Sequence, residues 1–296
     1  MALFDPLCPT GRTQPETQAA PYDPLPMTTR LTRSIMLADG AIQLDSEGSG
    51  PELLIIHSLL TGPEAFDTVV GQLSDHLTVH RLYLPGFGES SPLRNANPSI
   101  ADLADVVAAT MAELGTGPEV TVLGNGLGSF IASTLAIRHG DSLGRLIVSN
   151  TGPGFPEERR GAFTTMSDLA EQGGMTAVAD VAIARIFPPA YVERHPEALD
   201  ERRLVLTGID PHAFSAACRA LAALDLTDEL PTITSPTLVI AGEIDQTTPP
   251  EMGRAVAAAV PDARFELIPD CGHCPQLEQP TALLKVIRDF LDATTG

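Results

Sequence analysis

The sequence predicts an α/β protein with a mostly parallel, eight-stranded sheet flanked by helices and carrying a helical cap. Three observations predict this class. Apolar strand patterns alternate with amphipathic helical patterns along most of the 296 residues. The run Glu52–His57 is apolar almost throughout, as expected of a strand buried on both faces. From Thr151 to about Thr232 the strand patterns give way to helical ones, which indicates an inserted cap.

These patterns divide the chain into four segments. Residues 1–30 contain many prolines and are expected to form an extended or disordered N-terminal arm. Residues 31–150 form the first part of the predicted core, and residues 151–232 form the cap. Residues 233–296 return to strand and helix patterns and complete the core.

Local signals place the elements in order. The turn Asp39-Gly40 joins two short strand patterns and predicts an opening hairpin. Ser99 is expected to cap a helix that ends at Leu114, and Asp210-Pro211 is expected to start another. The predicted strands outside the motif described next are 34–37, 41–44, 52–57, 80–84, 143–149, 237–241 and 264–268, and further predicted helices are 63–76, 176–186, 251–260 and 281–293.

The segment Glu119–Ser129 has the frame of a nucleophile elbow without its nucleophile. An apolar strand leads into Gly124-Asn125-Gly126-Leu127-Gly128, and a helix is predicted from Ser129 to Ala136. In the G-x-S-x-G elbow, a serine occupies the tight turn between strand and helix. Here that position is Gly126, so the place of the nucleophile is vacant.

The two partners of such a nucleophile follow in the expected order. Asp245 comes after the predicted strand 237–241, and His273 comes after the strand 264–268. An aspartate that orients a histidine fixes its tautomer and makes it a general base near neutral pH. We therefore predict that Asp245 and His273 are catalytic.

Four neighbouring residues offer other chemistry. Ser129 lies in the start of a helix and is expected to point elsewhere. Ser58 borders a loop near the pocket and fits a hydrogen-bond donor to substrate oxygen better than a nucleophile. Cys271 and Cys274 bracket His273, but the sequence has no second cysteine pair to complete a zinc site. Packing or a solvated loop is the simpler interpretation of these cysteines.

From about Ser34 to its end, the chain resembles the alpha/beta-hydrolase superfamily, and within it the 3-oxoadipate enol-lactonase-like branch. Enzymes of that branch open small lactones with serine, aspartate and histidine, without a cofactor. The segments that carry the resemblance are His57–Thr61, Gly173–Ala179, Thr207–Pro211, Ala216–Ala222, Leu238–Asp245 and Gly272–Pro280.

The resemblance implies roles for matching positions. Asp245 and His273 match the acid and the base, whereas Gly126 departs from the serine. The backbone N–H groups of Leu59 and Leu127 match an oxyanion hole.

The ligand implied by the resemblance is a small molecule that carries a carboxylate. Ser58 and Asn125 are the predicted substrate-binding residues. The cap arginines Arg160, Arg185 and Arg203 are candidates to pair with the carboxylate.

Three function classes follow. In the first, the protein is an enzyme in which His273 acts directly as general base on a small carbonyl compound. It would hydrolyse a lactone, ester or C–C bond, or catalyse a lyase, isomerase or cyclase step. In the second, it is a catalytically silent ligand-binding or regulatory homologue. The third, a dinucleotide-binding oxidoreductase, is disfavoured because Ser129 stands where the G-x-G-x-x-G fingerprint needs its third glycine.

Composition narrows the partners. The net charge of -20 and the isoelectric point near 4.5 argue against nucleic acid and anionic membranes. No cofactor or metal motif is present, so we expect neither, and the expected partner is a small-molecule substrate. Four cysteines in 296 residues do not form a disulfide scaffold, and a cytoplasmic location is the default expectation. The oligomeric state stays open.

Overall fold

The computed structural model describes residues 29–294, and the predicted arm lies outside the described residues except for positions 29 and 30. The strands are β1 (Leu31–Leu37), β2 (Gly40–Gly48), β3 (Glu52–Ile56), β4 (Thr78–Leu82), β5 (Thr121–Asn125), β6 (Arg145–Ser149), β7 (Thr237–Gly242) and β8 (Arg264–Ile268). They form one sheet in the order β1-β2-β4-β3-β5-β6-β7-β8. β2 is antiparallel to β1 and β4, and all other neighbours are parallel. The predicted fold class is confirmed.

Helices cover both faces of the sheet and its carboxyl edge. They are α1 (Asp67–Leu73), α2 (Ile100–Leu114), α3 (Leu127–Arg138), α4 (Glu157–Ile186), α5 (Pro189–Arg194), α6 (Glu197–Thr207), α7 (Pro211–Ala223), α8 (Pro250–Ala259), α9 (Pro275–Glu278) and α10 (Pro280–Ala293). The long helix α4 is broken at Gly174, where φ is 66°. Within residues 29–294, no helix has the length and apolar character needed to cross a bilayer.

The helix-start signals read from the sequence are confirmed. The Ser99 hydroxyl accepts a hydrogen bond from the Asp102 N–H, and the Asp102 carboxylate accepts one from the Ser99 N–H. The Asp210 carboxylate accepts a hydrogen bond from the Ala213 N–H at 2.8 Å, and Pro211 opens α7.

Some boundaries differ from the prediction. β4 ends at Leu82 instead of Leu84, because the Leu84 N–H donates to the His57 ring and not to a neighbouring strand. α3 starts two residues before Ser129, immediately after Gly126. The predicted helix 63–76 starts as a 3₁₀ turn, continues as α1 and ends at Leu73.

Helices α4–α7 form the part of the structure between β6 and β7. One apolar cluster fills the side of the sheet covered by α2 and α3 and continues into these helices. A second cluster lies on the opposite side, under α1 and α10. The Arg202 guanidinium of α6 pairs with Glu64 at 2.7 Å, and the Tyr191 hydroxyl of α5 donates to the Leu277 carbonyl. These contacts fasten the helices over the carboxyl ends of the strands, where ligands bind in open α/β sheets.

Candidate active site

The turn between β5 and α3 is built for a very close approach of strand and helix. Gly126 has φ 53° and ψ −121°, a conformation that residues with a side chain rarely adopt. A Cβ at Gly124 would overlap the Gly128 carbonyl, and a Cβ at Gly128 would overlap the Ile56 carbonyl. The two outer glycines of the elbow frame are therefore required by packing, and they bring α3 directly onto the end of β3.

Two side chains converge on the space above Gly126. A Cβ placed on Gly126 would lie 3.0 Å from the Ser58 Cβ, would overlap the Ser58 Oγ, and would lie 3.1 Å from the His273 Nε2. Ser58 comes from the loop after β3, and His273 comes from the loop after β8. The structure thus brings Gly126, Ser58 and His273 together, although they are up to 215 positions apart in the chain.

His273 and Asp245 form a buried, hydrogen-bonded pair. The His273 Nδ1 lies 2.8 Å from the Asp245 Oδ2, and both residues are 4% exposed. The Asp245 Oδ2 also accepts hydrogen bonds from the Thr248 hydroxyl at 2.6 Å and the Asn150 amide at 2.8 Å. The backbone N–H groups of Thr247 and Thr248 donate to the Asp245 Oδ1. The carboxylate is therefore held on all sides, and its partner imidazole keeps Nε2 facing Gly126.

The pKa of Asp245 shows that the carboxylate is stabilised in its charged form. Burial is the largest influence and acts to raise this pKa. The charge and hydrogen bond of His273, with the hydrogen bonds of Thr248 and Asn150, outweigh burial and lower the pKa to about 2. A carboxylate that stays ionised can stabilise an imidazolium when His273 takes up a proton.

Leu59 and Leu127, whose backbone N–H groups are the predicted oxyanion-hole donors, both line the same space. Leu127 is the first residue of α3, and the first N–H groups of a helix have no acceptor within it. Leu59 lies in the loop after β3, and His57 holds this loop. The His57 Nδ1 bonds to the Ser58 carbonyl at 2.8 Å, and its Nε2 accepts from the Leu84 N–H at 3.1 Å. Burial lowers the pKa of His57, which keeps this imidazole neutral and structural.

Two cavities meet at the dyad. The smaller has a volume of about 20 Å³, and its lining includes Ser58, Leu59, Gly126, Leu127 and His273. That volume holds about one water molecule. The lining of this cavity also includes Phe155, Phe163, Met166, Arg185 and Leu221. The larger cavity, of about 690 Å³, lies between α4–α6 and the loops after β7 and β8, and it shares Arg185, Thr247 and His273 with the smaller one.

A model of the alpha/beta hydrolase family matches residues 53–286, which is most of the chain. The chain belongs to the alpha/beta hydrolase family. The 3-oxoadipate enol-lactonase 2 of Acinetobacter baylyi is 28% identical over 236 residues, which cover 78% of this chain and 85% of that protein. The pimeloyl-[acyl-carrier protein] methyl ester esterase of Vibrio vulnificus is 25% identical over 255 residues, which cover 83% and 96%. The crystal structure of the enol-lactonase from Burkholderia xenovorans superposes with a TM-score of 0.82 at 28% identity, covering 88% of this chain and all of that one.

This alpha/beta hydrolase also holds the His273 loop from behind, with residues that the sequence analysis missed. The Glu278 carboxylate accepts hydrogen bonds from the N–H groups of Gly272 at 2.7 Å and Cys274 at 2.9 Å. The Asn150 amide donates to the Gly272 carbonyl at 3.0 Å. Burial raises the pKa of Glu278, against the effect of these two N–H groups. The available signal for Asn150 was its position directly after β6, at the edge where Asp245 and His273 also lie.

Asn125 lies behind the site and not in it. Its side chain is fully buried, and its amide donates to the carbonyls of His273 at 3.3 Å and Ser149 at 3.4 Å. Its own carbonyl accepts from the Gln276 amide at 3.1 Å. Asn125 therefore contacts the base of the His273 loop, whereas we had expected it to contact substrate.

The remaining candidates beside the dyad are structural. The Ser129 hydroxyl donates to the Gly126 carbonyl at 2.6 Å, inside the first turn of α3. Cys271 and Cys274 are both buried free thiols, and burial raises the pKa of each. Across the described part of the chain, no cluster of three or more histidine, cysteine or acidic side chains has the geometry to hold a metal ion.

Proposed function

We propose that this alpha/beta hydrolase is a cofactor-independent enzyme that hydrolyses a small ester, lactone or activated C–C bond without a covalent acyl-enzyme. His273, oriented by Asp245, is the general base in this proposal. The observation that carries it is the assembled dyad, whose Nε2 faces a glycine across a space the size of one water molecule. The substrate is a small molecule, and the proposed location is the cytoplasm.

The covalent route lacks a suitable nucleophile. Gly126 has no side chain, and the Ser129 hydroxyl is engaged with the Gly126 carbonyl. Ser58 is the nearest hydroxyl to the vacant place, but no hydrogen bond described for residues 29–294 joins it to His273. A serine hydroxyl that is not hydrogen-bonded to a base is a weak nucleophile. Ser58 is better suited to donate a hydrogen bond to a water molecule or a substrate oxygen.

The proposed reaction uses one water molecule. His273 Nε2 removes a proton from this water as the oxygen attacks the substrate carbonyl carbon. The negative charge on the carbonyl oxygen is stabilised by the N–H groups of Leu59 and Leu127. The imidazolium, stabilised by Asp245, then returns the proton to the leaving group, so the base is regenerated. A substrate with an acidic C–H would instead lose that proton to His273, which is the lyase or isomerase variant of the same chemistry.

The names of the relatives support hydrolysis as the reaction class. They include an enol-lactonase and a methyl ester esterase, which cleave a cyclic and a linear ester. Each of these two relatives matches more than three quarters of the length of this chain. The cleaved bond is therefore proposed to be an acyl bond.

One observation favours a second candidate, a catalytically silent ligand-binding homologue. The cavity over Gly126 has a volume of only about 20 Å³, so a substrate could enter it only if side chains that line it moved. A protein that binds ligand in the 690 Å³ cavity would need no such movement.

The experiment is a turnover screen with small esters and lactones, using purified protein and the variants His273→Ala and His76→Ala. His76 is exposed on the surface, and its substitution is the matched control. The proposal expects turnover by the natural protein and by His76→Ala, and a loss of at least 1,000-fold in His273→Ala, on the scale of lost general-base catalysis. Ligand binding without turnover in all three proteins would favour the silent homologue.

A further inference from the structure

Arg185 lines both cavities of the site, and its guanidinium has no partner among the described residues. Arg185 is near the end of α4, and it lines both the 20 Å³ and the 690 Å³ cavity. Its Nε is buried without a hydrogen-bond acceptor. Among the described residues, no side chain or carbonyl accepts a hydrogen bond from its guanidinium, and no carboxylate forms an ion pair with it.

Other arginines of the cap helices are engaged. Arg203 pairs with Asp180, and Arg202 pairs with Glu64 at 2.7 Å. The Arg160 Nε donates to the Phe155 carbonyl at 2.7 Å, and Arg159 donates to the Gln246 carbonyl at 2.9 Å. Arg185 therefore differs from its neighbours in having no partner while facing the dyad.

Asp245 cannot serve as that partner. Its charge acts on Arg185 from a distance, but both of its oxygens already accept hydrogen bonds from His273, Thr248, Asn150 and the backbone. Burial and the nearby charge of Arg159 lower the pKa of Arg185, which shows that the charged form lacks compensation. A partly buried cation without a partner is costly, and an anionic group of a ligand would remove that cost.

The size of the smaller cavity restricts where this anionic group can be. Arg185 and His273 both line a space that holds about one water molecule. An anionic group held by Arg185 would therefore lie beside the space that the His273 imidazole faces. A carboxylate matches the planar guanidinium with two parallel hydrogen bonds.

The larger cavity restricts the rest of the ligand. Its volume of about 690 Å³ lies in the range of small-molecule sites. Much of its lining is apolar and comes from Ile183, Ile186, Phe187, Pro188, Val192 and Leu199. An apolar tail fits this lining.

We propose that Arg185 binds a carboxylate of the substrate close to the reacting carbonyl carbon, while an apolar tail of the substrate lies in the 690 Å³ cavity. The substrate class is thus a small acid whose carboxylate lies close to the acyl carbonyl that reacts and which also carries an apolar substituent. This inference rests on the proposed function for the identity of the reacting carbon. The anion site itself rests on Arg185 and the cavities.

The test is binding to the full chain by isothermal titration with three probes. The first is 2-oxo-4-phenylbutanoate, in which the carboxylate adjoins the carbonyl and an apolar tail is present. The second is its neutral amide, and the third is 5-oxo-5-phenylpentanoate, in which the carboxylate is remote. We expect the first probe to bind 10- to 100-fold more tightly than either of the others, the range of a charge-assisted hydrogen bond.

Variants separate the anion site from general effects. Arg185→Gln is expected to weaken the first probe 10- to 100-fold and to leave the amide within twofold, and Arg185→Lys to lie between. Arg194→Gln, at an exposed position of α5 outside the lining of both cavities, is the matched control and should change the binding of neither probe. Equal binding of acid and amide, or unchanged acid binding in Arg185→Gln, would overturn the inference. His273→Ala should still bind the first probe, because the anion site does not depend on the base. A failure of the proposed catalytic role of His273 and a failure of the anion site are therefore distinguishable.

Discussion

Replacing Gly126 by serine would restore the hydroxyl that the elbow lacks, and the structure indicates what this costs. The new Cβ would lie 3.1 Å from the His273 Nε2, so its hydroxyl could reach the base. The same Cβ would overlap the Ser58 Oγ and lie 3.0 Å from the Ser58 Cβ. The Ser58 hydroxyl must therefore rotate away, and the backbone at φ 53° must accept a side chain.

The expected magnitudes follow from these contacts. A side chain at a left-handed backbone position costs about 1–3 kcal/mol. For a chain of this length, about 1 kcal/mol corresponds to about 2–4 °C in Tm, so Gly126→Ser should lower Tm by about 2–12 °C. The double variant Gly126→Ser, Ser58→Gly removes both close Ser58 atoms and should recover part of that loss.

The assay is hydrolysis of p-nitrophenyl acetate, combined with labelling by a serine-directed phosphonate. A serine nucleophile contributes up to about 10⁶ in kcat, so a rise of at least 100-fold over the natural protein is expected even from imperfect geometry. The double variant should be faster than Gly126→Ser and should be labelled at position 126. The variant Ser58→Gly alone is the control and should not gain phosphonate labelling. Folded variants that gain neither esterase activity nor labelling would refute the claim that the dyad and the oxyanion donors are assembled around Gly126.

Three further predictions test the groups that hold the dyad. Asp245→Asn should lower the free energy of unfolding by about 2 kcal/mol at pH 7, because the folded-state pKa of Asp245 is lowered from 3.8 to about 2. This contribution to the free energy of unfolding is complete above about pH 4 and disappears as the pH falls through 2. The two proteins would be compared by urea denaturation at several pH values, and a difference between them that does not change with pH would contradict the prediction. Asn150→Ala should lower the free energy of unfolding by about 1–3 kcal/mol because the buried Gly272 carbonyl loses its donor, whereas exposed Asn97→Ala should change little. Glu278→Gln should lower kcat about tenfold at unchanged KM, because an amide can accept only one of the two hydrogen bonds that the Glu278 carboxylate accepts from the His273 loop. Glu113→Gln, at an exposed position, is the control. Equal kcat in the two variants would show that these hydrogen bonds are not needed for catalysis.

The sequence was sufficient for the fold because each element has a local signal. The apolar run of β3 and the caps at Ser99 and Asp210 act over a few residues, and the structure confirms them. The predicted opening hairpin also forms, but its turn is Ala38-Asp39, and Gly40 is the first residue of β2. Boundaries such as the end of β4 were less accurate. They depend on a contact between Leu84 and His57 that is 27 positions away in the chain.

The site was predictable where order along the chain determines position. Asp245 and His273 follow strands that end at one edge of a parallel sheet, and the structure brings them within 2.8 Å. Asn125 was misplaced because the direction of its side chain depends on hydrogen bonds to Ser149, His273 and Gln276. No local pattern encodes those partners. The same reason applies to Glu278, whose clamping role depends on the path of the loop it closes.

Which side chains surround the two cavities could not be derived from the sequence. The Ser58 hydroxyl lies against the side-chain position of residue 126, and Arg185 lies unpaired in the lining of both cavities. Both facts are consequences of packing among distant elements. The space over Gly126 is therefore a defined cavity whose lining includes a base, His273, and a cation, Arg185.

The most direct test of the central claim is the intact mass of the protein during turnover. A substrate found in the screen would be mixed with the enzyme, quenched in acid after several milliseconds and again in the steady state, and measured by mass spectrometry. Catalysis by His273 through a bound water predicts the unmodified protein mass at every time point. An added mass equal to the acyl group of the substrate, located on Ser58 or any other residue, would contradict it.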